Sequence, residues 1–221
     1  MKTFLRLSIF LILSLRPVVS QAQTEFTDSI KLALKHTPKL DFRIDSRNSF
    51  ITNQFARILG IKLGLNFNRT VRMGLGYNRL MNDRFTTVVH RYGDGSLERI
   101  EAKLKFAYLS PYFEYVFYRD PKWEISIPVL LGFGRALYRY DDRNGTTHQT
   151  PWRFLFMYEP YMISQYRITP WFGAGLGVGY RLLLVGNSAT DENFNSPMYV
   201  LKFNVFPTEI YATYRRLADR E

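Results

Sequence analysis

From Leu59 to Phe67 every second residue is large and apolar, and the positions between them are Gly60, Lys62, Gly64 and Asn66. The same two-faced alternation returns in Val71–Tyr77, Trp123–Phe133, Phe172–Tyr180 and Tyr199–Val205. Successive side chains of a strand point to opposite faces, so each segment is a strand with one dry and one wet face. A chain built this way closes into a barrel. A soluble lipocalin-like barrel turns its apolar face inward, whereas a membrane barrel turns it outward.

Two features favour the outward version. Small residues sit on the polar face, at Gly60, Gly64, Gly74, Gly76, Gly132, Gly134, Gly173, Gly175, Gly177 and Gly179. A narrow eight-stranded lumen has little room, so glycine opposite long charged side chains fits there. Aromatics gather near strand ends, and Tyr77, Tyr108, Phe117, Trp123, Tyr138, Trp152, Trp171 and Tyr180 are predicted to form two interfacial girdles.

The start of the chain reads as an export signal. Lys2 and Arg6 make a basic beginning, Leu7 to Leu15 is an apolar run broken by Ser8 and Ser14, and Ser20-Gln21-Ala22 offers a cleavage site. The run is shorter than the ~20 residues a helical span needs. Predicted domains are a signal peptide over 1–22, a periplasmic pre-barrel amphipathic segment over 23–37, a barrel over 38–207 and a periplasmic tail over 208–221. In the second of these, Phe26, Ile30 and Leu34 form one helical stripe that Thr37-Pro38 ends. Three of the 30 basic residues lie in the leader, leaving 27 against 19 acidic ones, and these occur in short mixed runs unlike a nucleic-acid footprint. The chain has no cysteine, which excludes a lipidated N-terminal Cys, disulfides and thiolate metal sites.

After Pro38 short and long connections alternate. The short ones are 68–70, 119–122 and 167–170; the long ones are about 46–54, 81–99, 139–150 and 185–197. Outer-membrane barrels have short periplasmic turns and long external loops. The alternation predicts eight strands, about Lys39–Asp45, Ala56–Asn68, Thr70–Leu80, Ile100–Tyr118, Lys122–Tyr138, Trp152–Arg167, Trp171–Leu184 and Met198–Phe206. Both termini then fall on one side. Pro111, Pro128 and Pro160 interrupt these strands. Leu104, Phe106 and Tyr108 are even-numbered whereas Phe113, Tyr115 and Phe117 are odd, which predicts a β-bulge near Ser110-Pro111.

The segments DSRNSFITNQFARILGIKLGLNFNRTVRMGLGYNRL and YRITPWFGAGLGVGYR, with their Gly76-Tyr77-Asn78 and Gly179-Tyr180-Arg181 steps, resemble the small outer-membrane β-barrel proteins of Gram-negative bacteria, of the eight-stranded OmpA/OmpX-like or OmpW-like kind. The resemblance implies an all-β, eight-stranded antiparallel transmembrane up-and-down barrel in the cell outer membrane, folded by the barrel assembly machinery and surrounded by outer-membrane lipid. It assigns no activity and carries over no catalytic residue.

By parity Lys62, Arg72, Glu114, Glu124, Glu159, Arg181 and Lys202 point inward as a lumen charge network, together with Asp41, Arg43, Lys103 and Lys105. Buried charges must pair, so the network reads as a salt-bridge plug. The glycines Gly173 to Gly179 are spaced by two and lack the 1, 3, 6 spacing of a dinucleotide loop, position 6 being Val178. His36, His90 and His148 fall in the pre-barrel segment and two separate loops, a distribution that predicts no metal site and no cofactor. His90 with Ser96 and Glu98 supplies the residue types of a hydrolase, though Gly93-Asp94-Gly95 beside them reads as a hairpin tip. The reading is a non-enzymatic barrel with a filled lumen and a structural or surface-interaction role. A lipid-modifying enzyme and a small passive pore stay open as alternatives.

Overall fold

The computed structural model describes residues 25–51, 54–93, 95–185 and 194–218. The leader and its cleavage site lie outside the described residues. A helix, α1 (25–34), precedes ten strands among the described residues: β1 (Lys39–Ile51), β2 (Gln54–Phe67), β3 (Val71–Leu80), β4 (Phe85–Arg91), β5 (Leu97–Arg119), β6 (Trp123–Asp141), β7 (Thr147–Gln149), β8 (Arg153–Thr169), β9 (Phe172–Val185) and β10 (Ser196–Val205). A second helix, α2 (Pro207–Ala218), follows where a tail is predicted.

Eight of the strands form a closed antiparallel ring in the order β1-β2-β3-β5-β6-β8-β9-β10. The ring shuts where β10 returns to β1, with Phe42 opposite Val205 and Ser49 opposite Met198. The remaining two, β4 and β7, extend the walls beyond the ring, β4 on β5 and β7 on β6. Thus the predicted loops 81–99 and 139–150 are largely β-hairpins. The sequence Phe85-Thr-Thr-Val-Val explains the first, since β-branched and aromatic residues favour strands. At 23 residues β5 is about twice the 9–11 residues a tilted strand needs to cross a bilayer.

Two expectations are corrected. The predicted long connection over 46–54 is strand through Ile51, which pairs with Gln54. Its Ser46-Arg47-Asn48-Ser49 reads as a loop because both faces are polar, and the inward face is polar because it lines the lumen. The predicted bulge at Ser110-Pro111 is absent: Leu109 opposite Phe133 and Tyr112 opposite Leu130 keep one register across it, and the shift lies between Val116 and Tyr118. Even-numbered residues face inward all the way from Ala102 to Val116, so the apparent slip marks a change in what lines the lumen. Pro128 and Pro160 lie at one place, where β6–β8 partners pass from Ser126–Ile163 to Val129–Pro160 without a register change. The two missing N–H donors thereby disturb a single stretch of ladder.

The ring is inside-out. Leu63, Leu176 and Tyr199 on its outer face are 57%, 67% and 63% exposed, while Arg72, Glu114 and Glu159 inside are 0% exposed. An apolar wall around a charged interior suits lipid outside, and the barrel is transmembrane. Tight turns close one end. Thr70 N–H donates to Phe67 O at 3.0 Å, with Asn68 and Arg69 both at positive φ (49° and 59°), the geometry of a type I′ turn. At the next turn Asp120 Oδ1 accepts from the Lys122 and Trp123 amides at 2.7 and 2.6 Å, and these bonds hold its carboxyl below the usual range. Helix α1 lies on the outer wall at this end, where Phe26 meets Tyr115 edge-on at 4.7 Å.

Candidate functional site

The lumen has two storeys. Toward the hairpin end it holds an apolar core of Ile51, Ile58, Leu80, Leu104, Phe106 and Leu155 with their neighbours. Toward the turn end it is charged. Six buried cations (Arg43, Arg47, Lys62, Arg72, Arg181, Lys202) face five buried carboxylates (Asp41, Asp45, Glu114, Glu124, Glu159). The near balance satisfies the requirement that charge removed from water be paired.

Glu114 on β5 is the lower hub. Its Oε1 accepts from Arg72 of β3 and Lys202 of β10 at 2.9 Å and from Ser126 of β6 at 2.8 Å, and its Oε2 accepts from Arg43 of β1. Arg43 also pairs with Asp41. Below it, Glu124 receives Arg72 and, at 2.9 Å, the Nε of Arg69. Arg69 reaches the lumen mouth because its left-handed backbone turns the side chain back under the barrel, a conformation a bulky residue adopts only when its surroundings hold it.

Glu159 on β8 is the upper hub. It accepts from Arg181 Nε at 2.5 Å, from the Tyr108 hydroxyl at 2.9 Å and from Arg47. Between the hubs Lys62 donates to Asp45 at 2.7 Å and to Tyr161 at 3.1 Å. Together these contacts reach all eight ring strands across the bore. Glycine makes the room: a Cβ on Gly60 would lie 2.2 Å from Asp45 Oδ1, and one on Gly64 would lie 2.2 Å from the Tyr112 hydroxyl.

The structure brings Lys62, Arg72, Glu114, Glu124, Glu159, Arg181 and Lys202 together in this lumen. The network read from the sequence omits Arg47, whose segment is read as loop, Arg69, because a turn residue carries no parity, and Asp45, although it ends the predicted first strand on the face of Asp41 and Arg43. Lys103 and Lys105 are placed on the outer face, since the bulge that would have turned them inward is absent. Among the girdle residues, Tyr77, Phe117, Trp123, Trp152, Trp171 and Tyr180 are exposed on the outside. Tyr108 and Tyr138 are corrected to the lumen face: Tyr108 is 2% exposed, and Tyr138 packs on the apolar core. Their aromatic character serves the upper storey, so strand-end position alone does not identify a girdle.

At the hairpin end His90 lies opposite Glu98 in the β4–β5 ladder, and each side chain is engaged by a tyrosine. Glu98 Oε2 accepts from the Tyr92 hydroxyl at 2.5 Å, and the His90 ring is engaged at Nδ1 by the Tyr140 hydroxyl at 3.1 Å. The sequence also separates two histidines that the fold joins: His90 on β4 and His148 on β7 have ring centroids 4.7 Å apart.

This geometry defines a transmembrane β-barrel with a salt-bridged interior and raised hairpins. Its fold is that of small eight-stranded outer-membrane barrels. The crystal structure of Neisserial surface protein A is similar with a TM-score of 0.54 at 14% identity, covering 76% of this chain and 96% of that one. Ail, the attachment invasion locus protein of Yersinia pestis, solved with the heparin analogue sucrose octasulfate, is similar with a TM-score of 0.50 at 14% identity, covering 76% of this chain and 97% of that one. No family model and no curated protein matches the chain.

Proposed function

We propose that this protein is a closed, non-enzymatic barrel of a Gram-negative outer membrane, with its tight turns and helices in the periplasm and its hairpins presented outside for a structural or surface-interaction role. The observation that carries this reading is the Glu114 hub, which bonds Arg72 and Ser126 on the adjoining strands and Arg43 and Lys202 across the bore from β1 and β10. A lumen tied across its width supports a scaffold over a pore. His90 and Glu98 lie opposite each other in the β4–β5 ladder, but the Tyr140 hydroxyl engages the first and the Tyr92 hydroxyl the second, which supports a structural hairpin over a lipid-modifying enzyme.

Outer-membrane lipid is the proposed partner of the outer wall. Arg79, Lys103, Lys105, Arg135 and Arg139 face outward on β3, β5 and β6, beyond the apolar band toward the hairpins. Below them a groove of about 420 Å³ is lined by Tyr77, Leu109, Phe133, Arg135, Trp152 and Phe154. Cations placed above an aromatic band match anionic headgroups above acyl chains. Insertion of such a barrel is proposed to depend on the barrel assembly machinery.

The chain has no cysteine, so a single introduced thiol reports its own side of the membrane. Gly145→Cys is expected to react with a membrane-impermeant maleimide on intact cells, and Thr208→Cys only after the outer membrane is permeabilised. The reverse pattern, or recovery of the protein in the soluble periplasm, overturns the proposal.

A further inference from the structure

Two hairpins that are distant in sequence meet because their parent strands are neighbours in the ring. Lys103 of β5 lies opposite Arg139 of β6, and β4 and β7 flank that pair. One nitrogen each from His90 and His148 and one carboxylate oxygen of Asp142 lie within 4.8 Å of one another, all three residues half-buried. His148 Nε2 already contacts Asp142 Oδ2 at 3.0 Å.

The set is oriented from behind. Asp142 Oδ1 accepts from the Asn144 and Thr146 amides at 2.8 and 2.9 Å, which aims Oδ2 at the histidines. The turn that does this needs Gly145 at a φ of 76°. The Tyr140 hydroxyl fixes the His90 ring, and a ligand histidine commonly has its other nitrogen held by such a partner. Arg143 sits over the Tyr92 ring at 4.0 Å, and Glu98 on the same tyrosine offsets its charge.

We propose that His90, His148 and Asp142 form a surface site for a borderline divalent transition cation, of which Zn2+ is the reference, with water completing a four-coordinate shell. Two imidazoles and a carboxylate are donors such an ion takes. Bonds of about 2.0–2.1 Å imply tetrahedral donor separations of about 3.4 Å. The widest pair must therefore close by at most about 1.4 Å, within the reach of side-chain rotation at half-buried positions. The ion would clamp β4–β5 to β6–β7, coupling the shape of the exposed surface to metal supply. This inference does not depend on whether the lumen conducts or which partner the surface meets.

The test is a Zn2+ titration of the full-length, tag-free protein in detergent micelles against a chromophoric chelator. One equivalent is expected to bind. His90→Ala, His148→Ala and Asp142→Asn are each expected to weaken binding by more than tenfold, and Tyr140→Phe by about tenfold. His36→Ala, in a different part of the chain, is expected to leave it unchanged. Ring nitrogen NMR of the unmutated protein gives a reading free of folding effects: Zn2+ is expected to shift the His90 and His148 signals together. The proposal is overturned by no saturable binding, by binding that the His90, His148 and Asp142 variants leave intact while folded, by binding that follows His36, or by Zn2+ shifts that spare His90 and His148.

Discussion

Replacing Glu114 with Gln removes one charge from a site where three cations converge, and the structure says which of them suffers. Arg43 keeps Asp41, and Arg72 keeps Glu124. Both hydrogen bonds of Lys202 go to Glu114, so its ammonium, 2% exposed, is left without a carboxylate. Removing one partner of a buried pair costs about 3–5 kcal/mol, because the other stays desolvated. With an m-value of about 2 kcal/mol/M, that lowers the urea midpoint by roughly 2 M. The assay is unfolding in lipid vesicles, read by tryptophan fluorescence and by heat-modifiable migration on a gel. Since Lys202 is the orphan, the double variant Glu114→Gln/Lys202→Met is expected to be more stable than Glu114→Gln alone. A loss below about 1 kcal/mol means that water solvates the lumen, and a double variant no better than the single one refutes the assignment of the cost to Lys202.

Leu63→Arg places a cation on the outer wall at a position that is 57% exposed. It is expected to cost about 2–4 kcal/mol if the site lies near the midplane of the bilayer. Spin labels are expected to show greater oxygen access at position 63 than at position 62, and the opposite order would reverse the faces. At the hairpin tip, the Asp142 carboxyl is expected to titrate below the ordinary carboxylate range. A folded-state value below the unfolded one means that its contribution is present above about pH 4 and is lost as pH falls through the folded value. Carboxyl carbon NMR should therefore show the His148 contact persisting at pH 5 and lost only in stronger acid.

The ring was legible because alternation is a local property. Leu59, Ile61, Leu63 and Leu65 on one face of β2, with Gly60, Lys62 and Gly64 on the other, state a membrane strand without reference to any other strand. Lumen residues inside such runs, among them Lys62, Arg72 and Lys202, could be read by parity. The reading failed where the inward face changed character. Leu104, Phe106 and Tyr108 point inward like Glu114, but into an apolar storey. A change of lining then looks like a change of face. Arg47 was lost because a polar inward face and a polar outer rim together resemble a loop, whereas Asp45, at the end of the predicted first strand, shares the parity of Asp41 and Arg43. Phe117, where register does shift, carries no proline or glycine to signal it. The meeting of His90 and His148 was not legible at all, since it depends on β4 and β7 riding on adjacent strands.

The central claim is that the bore is closed by its own side chains, and single-channel recording in planar bilayers tests it most directly. The unmutated protein is expected to show negligible conductance, because Glu114 and Glu159 tie the walls together across the lumen, while Glu159→Ala, which leaves Arg181 without its carboxylate and Arg47 with Asp45 alone, is expected to open sporadically. Steady conductance from the unmutated protein, rising in proportion to salt, contradicts the account and makes this barrel a pore.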